Sequence, residues 1–580
     1  MTRAPFGSWP SPITTDLIVA DSINLKELQL TGTDVHWLEQ RPRESGRTVL
    51  VRNGVDVTRA EFSVRSRVHE YGGGSYTFPY FVNDKDQQIY SGTTPITNTP
   101  GLRFADLVID RDRLIAVCED HRAGGEPVNS LVAIADRIET LAAGNDFYSS
   151  PCVCGNHLAY LTWNHPNMPW DETELWLDGQ KIADGASIFQ PQWSPDGVLH
   201  FVSDRNNWWN IYRYRNGQIE HVLDLPVEFG MAQWNFGMST YAFLDDGRIA
   251  CAFNDRGTWR LGLFDGTLRL FDLPYTEISQ VRAAGHHVVF LGSAPEQPSA
   301  VIRLNANTGH TEILRRSTTM TIDPRYISPA VAIDHAFYYP PTNPDFEGLP
   351  GELPPLIVMC HGGPTSATTS GFNLQKQFWT SRGFAVVDVN YGGSTGFGRD
   401  YRQRLNGQWG IVDVDDCCAA ARQLVDQKLA DPNRLIIRGG SAGGFTTLAA
   451  LTFRQVFKAG ASYYGISDLE ASNDTHKFES RYNYRLIAPW PAGAGIYHSR
   501  SPLRHCDRLN CPVIFFQGLD DKVVLPNQST LMVDAMQKKG LLVEYLEFPG
   551  EGHGFRQAAT VKQTLEAELA FYRRVFAIRE

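Results

Sequence analysis

The sequence predicts a two-domain fold, an N-terminal seven-bladed β-propeller followed by a doubly wound, mainly parallel α/β domain. Three observations carry this. The 580 residues exceed one ordinary domain. A short apolar strand recurs through the first part at a propeller's period. The remainder alternates strand-like and helix-like runs around a glycine-rich turn that carries a serine. The change of texture falls near Pro324–Tyr339, giving expected domains of 1–325 (a propeller with an N-terminal extension) and 326–580.

The repeats begin at Val35-His36-Trp37-Leu38, Tyr80-Phe81-Val82, Leu114-Ile115-Ala116-Val117, Leu158-Ala159-Tyr160-Leu161, Leu199-His200-Phe201-Val202, Ile249-Ala250-Cys251-Ala252 and Val288-Val289-Phe290-Leu291. Their spacing, roughly 35–50 residues, is that of propeller blades. Turn signals such as Asp178-Gly179, Asp196-Gly197, Asn216-Gly217, Asp246-Gly247 and Asp265-Gly266 separate several strands. Such segments cannot bury both faces alone, so they stack around a central channel. A different multi-sheet β-domain is the alternative.

In the second part, Leu356–Cys360, Ala385–Val389 and Leu435–Ile437 read as strands, and Val412–Lys428 as an amphipathic helix. Asp413, Asp415 and Asp416 fall in that helix's first turn, where the helix dipole favours negative charge. Gly439-Gly440-Ser441-Ala442-Gly443-Gly444 lies between an apolar strand and a helix-like run and contains G-x-S-x-G. A serine on such a sharp turn projects its hydroxyl out of the sheet. The serine needs a base, and the base needs a carboxylate to hold its tautomer. Downstream, Asp520 and Asp521 both follow the apolar run Pro512–Phe516, and His553 stands between Gly552 and Gly554. Ser, then Asp, then His is the chain order of an α/β-hydrolase. The strand Leu356–Cys360 leads into His361-Gly362-Gly363-Pro364, which offers the Gly363 N–H, beside that of Ala442, to a developing oxyanion. His361 is read as shaping this loop. Tyr463, Tyr464 and Ile466, after the next strand, are candidates to line an apolar substrate pocket.

Composition sets limits. Net charge is −11, with 53 basic and 64 acidic residues and no long run of either sign, which argues against a nucleic-acid surface. No apolar stretch reaches the length of a membrane span, and the first ten residues lack a signal-peptide core. The nine cysteines lack paired zinc spacing and read as reduced thiols in a cytoplasmic protein. No metal or cofactor is expected, and a homo-oligomer is compatible with the sequence.

His361–Pro364, Asn390–Gly398, Gly439–Gly444, Gly518–Val524 and Gly552–Phe555, together with His69–Gly74 and Trp163–Trp170, resemble the prolyl oligopeptidase family of serine peptidases. The likeness is greatest to its acylaminoacyl-peptidase and dipeptidyl-aminopeptidase branch. The resemblance implies a serine peptidase acting on short peptides, with a propeller that restricts access to the active site. In the family the acid follows a Gly by three positions and precedes a Val by three, which implies Asp521. Acidic residues hold the free amino group in dipeptidyl peptidases, which makes Glu479 and Glu70 candidates for that role. Departures bear on specificity: Val523 stands where several relatives carry Arg or Asn, and Gln517 where a His is frequent. Two other readings share these residues. One is an esterase or amidase for a peptide-like metabolite, the other a propeller interaction protein with an inactive hydrolase domain.

Overall fold

The computed structural model describes residues 1–20 and 22–579. Seven four-stranded antiparallel sheets span residues 24–56, 76–95, 102–142, 147–186, 188–221, 241–270 and 277–316, forming the seven-bladed propeller. Each apolar run read from the sequence is the second strand of its sheet. Such a strand is covered on both faces by the neighbouring blades; all five residues of Leu199–Ser203 are buried, for example. A strand buried on both faces needs a continuous apolar run, which is why it was legible. At Asp178-Gly179 and Asn216-Gly217 both turn residues have positive φ, as a tight two-residue hairpin requires.

Every blade is built from four consecutive strands, so no sheet is shared between the two ends of the ring. The seam between first and last blades is apolar packing instead. Leu25, Leu28, Trp37 and Val51 meet Val289, Leu291 and Val301 there.

The C-terminal domain is an eight-stranded sheet, its strands numbered here in chain order: β1 (Val331–Ile333), β2 (Ala336–Tyr339), β3 (Leu356–Cys360), β4 (Ala385–Val389), β5 (Leu435–Gly440), β6 (Ala459–Tyr463), β7 (Val513–Gly518) and β8 (Val543–Phe548). Their spatial order is β1-β2-β4-β3-β5-β6-β7-β8. β1, β2 and β4 pair antiparallel, and the rest are parallel. Helices cover both faces, as parallel strands require. The amphipathic helix runs Val412–Asp426. Its Asp413 is buried and accepts hydrogen bonds from Gly410 N–H (2.7 Å) and Thr446 Oγ1 (2.5 Å). The acid that the sequence assigns to the helix dipole therefore also pins this helix to the one after β5.

Residues 2–19 belong with this domain rather than with the ring. Thr2–Arg3 pairs parallel with Phe346–Glu347. The helix Thr15–Val19 packs on Ala558–Val575, where Asp16 reaches Lys562 at 2.6 Å and Thr15 Oγ1 donates to Glu566 at 2.5 Å. The propeller sits over the C-terminal ends of the parallel strands. Glu228 of the propeller accepts from Gly396 N–H (2.5 Å) and Gly398 N–H (3.1 Å), and Asp204 pairs with Arg402. Trp234 Nε1 donates to Thr365 O at 2.7 Å. The His69 ring stacks on Phe478 at 4.7 Å.

Candidate active site

Strand β5 ends at Gly440 and the helix Ala442–Phe453 begins at Ala442, leaving Ser441 alone on the turn. Its φ of 58° and ψ of −124° lie in a region that a side-chain-bearing residue rarely visits, a strain of about 1–3 kcal/mol that the surroundings must hold. They hold it tightly. Ser441 N–H donates to Tyr463 O at 2.9 Å. A Cβ on Gly443 would lie 2.2 Å from Cys360 O and 2.7 Å from His361 O, so only glycine lets the helix seat against β3.

His553, on the loop after β8, reaches Ser441 Oγ with Nε2 at 2.9 Å and Asp521 Oδ2 with Nδ1 at 2.8 Å. Asp521 is fully buried. Its Oδ1 accepts Val523 N–H and Val524 N–H, each at 2.9 Å. Those two donors fix the carboxylate so that Oδ2 can only face the imidazole. Asp520, its neighbour, points into solvent. A buried carboxylate aimed at Nδ1 leaves Nε2 as the lone-pair nitrogen beside the hydroxyl, the arrangement that withdraws a serine proton.

Gly362 and Gly363 line the same cavity as Ser441 and His553. Gly363 has φ 118°, and a Cβ there would meet Thr365 N at 2.7 Å. His361 stands behind them, half-buried. Its ring stacks on Tyr391 at 4.2 Å, with Nδ1 2.8 Å from Gly362 O and Nε2 2.7 Å from Ser394 Oγ. Burial lowers its pKa, keeping it neutral. It holds the loop. Ala442 N–H opens the helix, among the donors that lack an intrahelical acceptor.

The structure divides the remaining candidates. Ile466 and Glu479 line the cavity beside Ser441, with Trp409, Tyr482, Val523 and Val524. Glu479 Oε2 accepts Tyr71 OH at 2.8 Å and lies 2.9 Å from His476 Nε2. Tyr464 stands edge-on to His553, ring centres 4.9 Å apart. Tyr463 is not brought to either Ser441 cavity: its hydroxyl donates to Glu568 at 2.6 Å and its ring packs on Phe516. Glu70 likewise lines neither Ser441 cavity; it is bound to Arg103 at 2.7 Å and lines the cavity on the other side of His553. Sequence reasoning missed Tyr71 and Trp234, propeller residues that close the cavity over Ser441 and His553. Tyr71 lies inside the His69–Gly74 segment, but nothing there singles out the tyrosine. Among the described residues no group of three or more His, Cys, Asp or Glu side chains is arranged to hold a metal ion.

The profile of the prolyl oligopeptidase family matches residues 370–579. A puromycin-hydrolyzing peptidase of Mycobacterium tuberculosis is 40% identical and superposes with a TM-score of 0.96, covering 100% of this chain and 98% of that one. The chain belongs to the prolyl oligopeptidase family. Members of this family with curated descriptions also match. Dipeptidyl aminopeptidase BIII of Pseudoxanthomonas mexicana is 36% identical over 208 residues, 35% of this chain and 30% of that protein. The acylamino-acid-releasing enzyme of Arabidopsis thaliana is 32% identical over 213 residues, 35% and 28% respectively. The chain thus matches about three-tenths of the length of these curated relatives, whereas the solved structure matches throughout. No helix among the described residues is long and apolar enough to cross a membrane.

Proposed function

We propose that this family member is a serine peptidase that removes small aminoacyl or dipeptidyl groups from short peptides through an acyl-enzyme. The observation that carries this is the continuous hydrogen-bonded chain from Ser441 through His553 to buried Asp521, roofed by propeller side chains. Ser441 Oγ attacks the scissile carbonyl carbon while His553 Nε2 takes its proton. Gly363 and Ala442 N–H hold the oxyanion, each contributing about 3 kcal/mol to the transition state. The C–N bond breaks as His553 returns the proton to the leaving amine. Water then adds to the acyl carbon with His553 again as base, releasing the acid and restoring Ser441. Asp521 orients the ring and stabilises the imidazolium. Trp409, Ile466, Tyr482 and Val523 supply an apolar wall for the acyl side chain, and Glu479 receives the substrate's ammonium group.

A second reading, hydrolysis of an amide in a peptide-like metabolite, is favoured by the description of the Mycobacterium tuberculosis relative as puromycin-hydrolyzing. Both use the same residues. The nine cysteines, all free thiols, support a cytoplasmic setting. Every proposed site residue comes from one chain, so the reading requires no second copy.

The test is hydrolysis of aminoacyl- and dipeptidyl-nitroanilides, their N-acetyl forms and puromycin, by wild type and Ser441→Ala, with fluorophosphonate labelling. The reading expects labelling at Ser441, cleavage of free-amine substrates, and a loss of roughly 10⁴-fold or more in Ser441→Ala. Ester turnover without amide cleavage, or a folded protein that the fluorophosphonate leaves unlabelled, refutes it.

A further inference from the structure

Beyond His553 lies a cavity of about 760 Å³ between the hydrolase loops and the propeller. Gly552, His553 and Val523 form one wall, and Lys26, Arg65, Arg67 and Glu70 belong to the wall opposite. A deeper cavity toward the propeller channel continues it, sharing Lys26, Arg65, Tyr71, Asn235 and Arg556. His553 delivers the proton to the departing amine, so a space on its far side from the acyl pocket receives the leaving group. In a peptidase the leaving group is an amino acid or peptide that ends in a carboxylate.

The charge in this cavity is unbalanced. Its acids are already engaged or peripheral. Asp84 takes Arg67 at 2.8 Å, Glu70 takes Arg103 at 2.7 Å, and both oxygens of Glu551 accept backbone N–H groups, of Arg556 (3.0 Å) and Gln557 (2.9 Å). Asp520 is exposed at the rim. Arg47 is bound to Glu44 at 2.7 Å, and Lys522 is exposed. Three cations are left over. Lys26 Nζ donates only to the neutral Gln40 Oε1, at 2.8 Å; Glu27, in the deeper cavity, acts on it only at range, its two oxygens taken by Ser75 N–H (2.8 Å) and Ser75 Oγ (3.2 Å). Arg65 has Asp84 at 4.0 Å, outside hydrogen-bond reach. Arg556 makes no ion pair among the described residues; Asp84 and Glu551 act on it only at range. Burial and the nearby Arg556 charge lower the Lys26 ammonium to about 8 and the Arg65 guanidinium to about 10. Three half-buried cations that repel one another are costly unless an anion joins them.

We propose that Lys26, Arg65 and Arg556 form the leaving-group subsite of this peptidase and bind the C-terminal carboxylate of short peptides. Resting on the reading above, this places an acid, Glu479, on the acyl side and a cation cluster on the leaving side. The substrate is then a short peptide with both ends free, recognised at each end by opposite charge.

The test compares a peptide such as Phe-Gly-Gly with its C-terminal amide, alongside Phe-nitroanilide, which has no carboxylate, and a phenylalanyl amide of O-phosphoethanolamine. Wild type is expected to favour the acid over the amide by about 10- to 100-fold in kcat/KM, mainly through KM, as for charge-assisted hydrogen bonds. That preference should shrink as salt rises from 20 to 500 mM and fall to near one in Lys26→Gln/Arg65→Gln, with nitroanilide turnover reporting that the variant is folded. An acid-to-amide ratio near one in wild type overturns the inference while leaving the peptidase reading intact. Discrimination in favour of the phosphate substrate alone also overturns it, assigning the subsite to a phosphate. Failure to hydrolyse any of the four overturns the peptidase reading itself, and this inference with it.

Discussion

Replacing Asp521 by Asn tests the hydrogen-bonded chain at its most constrained point. The two backbone donors at Val523 and Val524 both act on Oδ1 at 2.9 Å. An asparagine in the same cavity must therefore present its carbonyl oxygen to them, which turns its NH₂ toward His553 Nδ1. Two donors cannot face each other, so the ring takes the other tautomer, with Nδ1 accepting and Nε2 carrying the hydrogen. Nε2, 2.9 Å from Ser441 Oγ, can then no longer accept the serine proton. The corresponding change in the chymotrypsin triad lowers kcat about 10⁴-fold, equivalent to about 5.4 kcal/mol. A similar loss is expected here, with KM little changed, because the substrate cavities are untouched. Asp520→Asn alters an exposed carboxylate and should change kcat by less than about twofold. Steady-state kinetics on an aminoacyl-nitroanilide, with thermal melts to confirm folding, decides the matter. Equal losses in the two variants, or a loss below tenfold in Asp521→Asn, would refute the argument from donor geometry.

Glu479→Gln should raise KM for free-amine substrates by about 10- to 100-fold and leave N-acetyl substrates unaffected, which paired nitroanilides would show. Gly443→Ala brings a methyl to 2.2 Å from Cys360 O, so it should cost more than about 2 kcal/mol or prevent soluble expression, read by urea unfolding. Burial lowers His69 to about 3, below its ordinary value, so the folded protein binds fewer protons than the unfolded chain between about 3 and 6.5. Stability from this group is present above pH 6.5 and is lost as pH falls through that window, by up to roughly 4–5 kcal/mol. Unfolding midpoints at pH 7, 5 and 4 should therefore fall more steeply for wild type than for His69→Gln; parallel slopes would contradict it.

The strands buried on both faces were legible because burial demands an unbroken apolar run, and the turn around Ser441 because its backbone demands glycine on either side. Asp520 and Asp521 were not separable from their residue types; what separates them is a half-turn of loop that buries one and exposes the other. Tyr463 and Tyr464 illustrate the same limit: both pack near Phe555, but only Tyr464, just past the strand with a φ of 39°, meets the histidine. Tyr71 and Glu479 are 408 residues apart, and Trp234 and Thr365 are 131 apart. Contacts of that range depend on how a whole ring docks on a sheet, and no local pattern announces them. The leftover charge on Lys26, Arg65 and Arg556 was invisible for the same reason, since it exists only after every other ion has found its partner.

The packing of residues 2–19 on the α/β domain also bears on the order of events during synthesis. Asp16 and Lys562 are separated by 546 positions. At a ribosome's pace of about 5–20 residues per second, the early segment waits roughly half a minute to two minutes for its partner helix. In that interval the blades, each made of consecutive strands, can close one after another as they emerge. Asp521 and His553 arrive only after the ring that roofs Ser441 has been made. A nascent chain therefore carries the cover before it carries the means to cut.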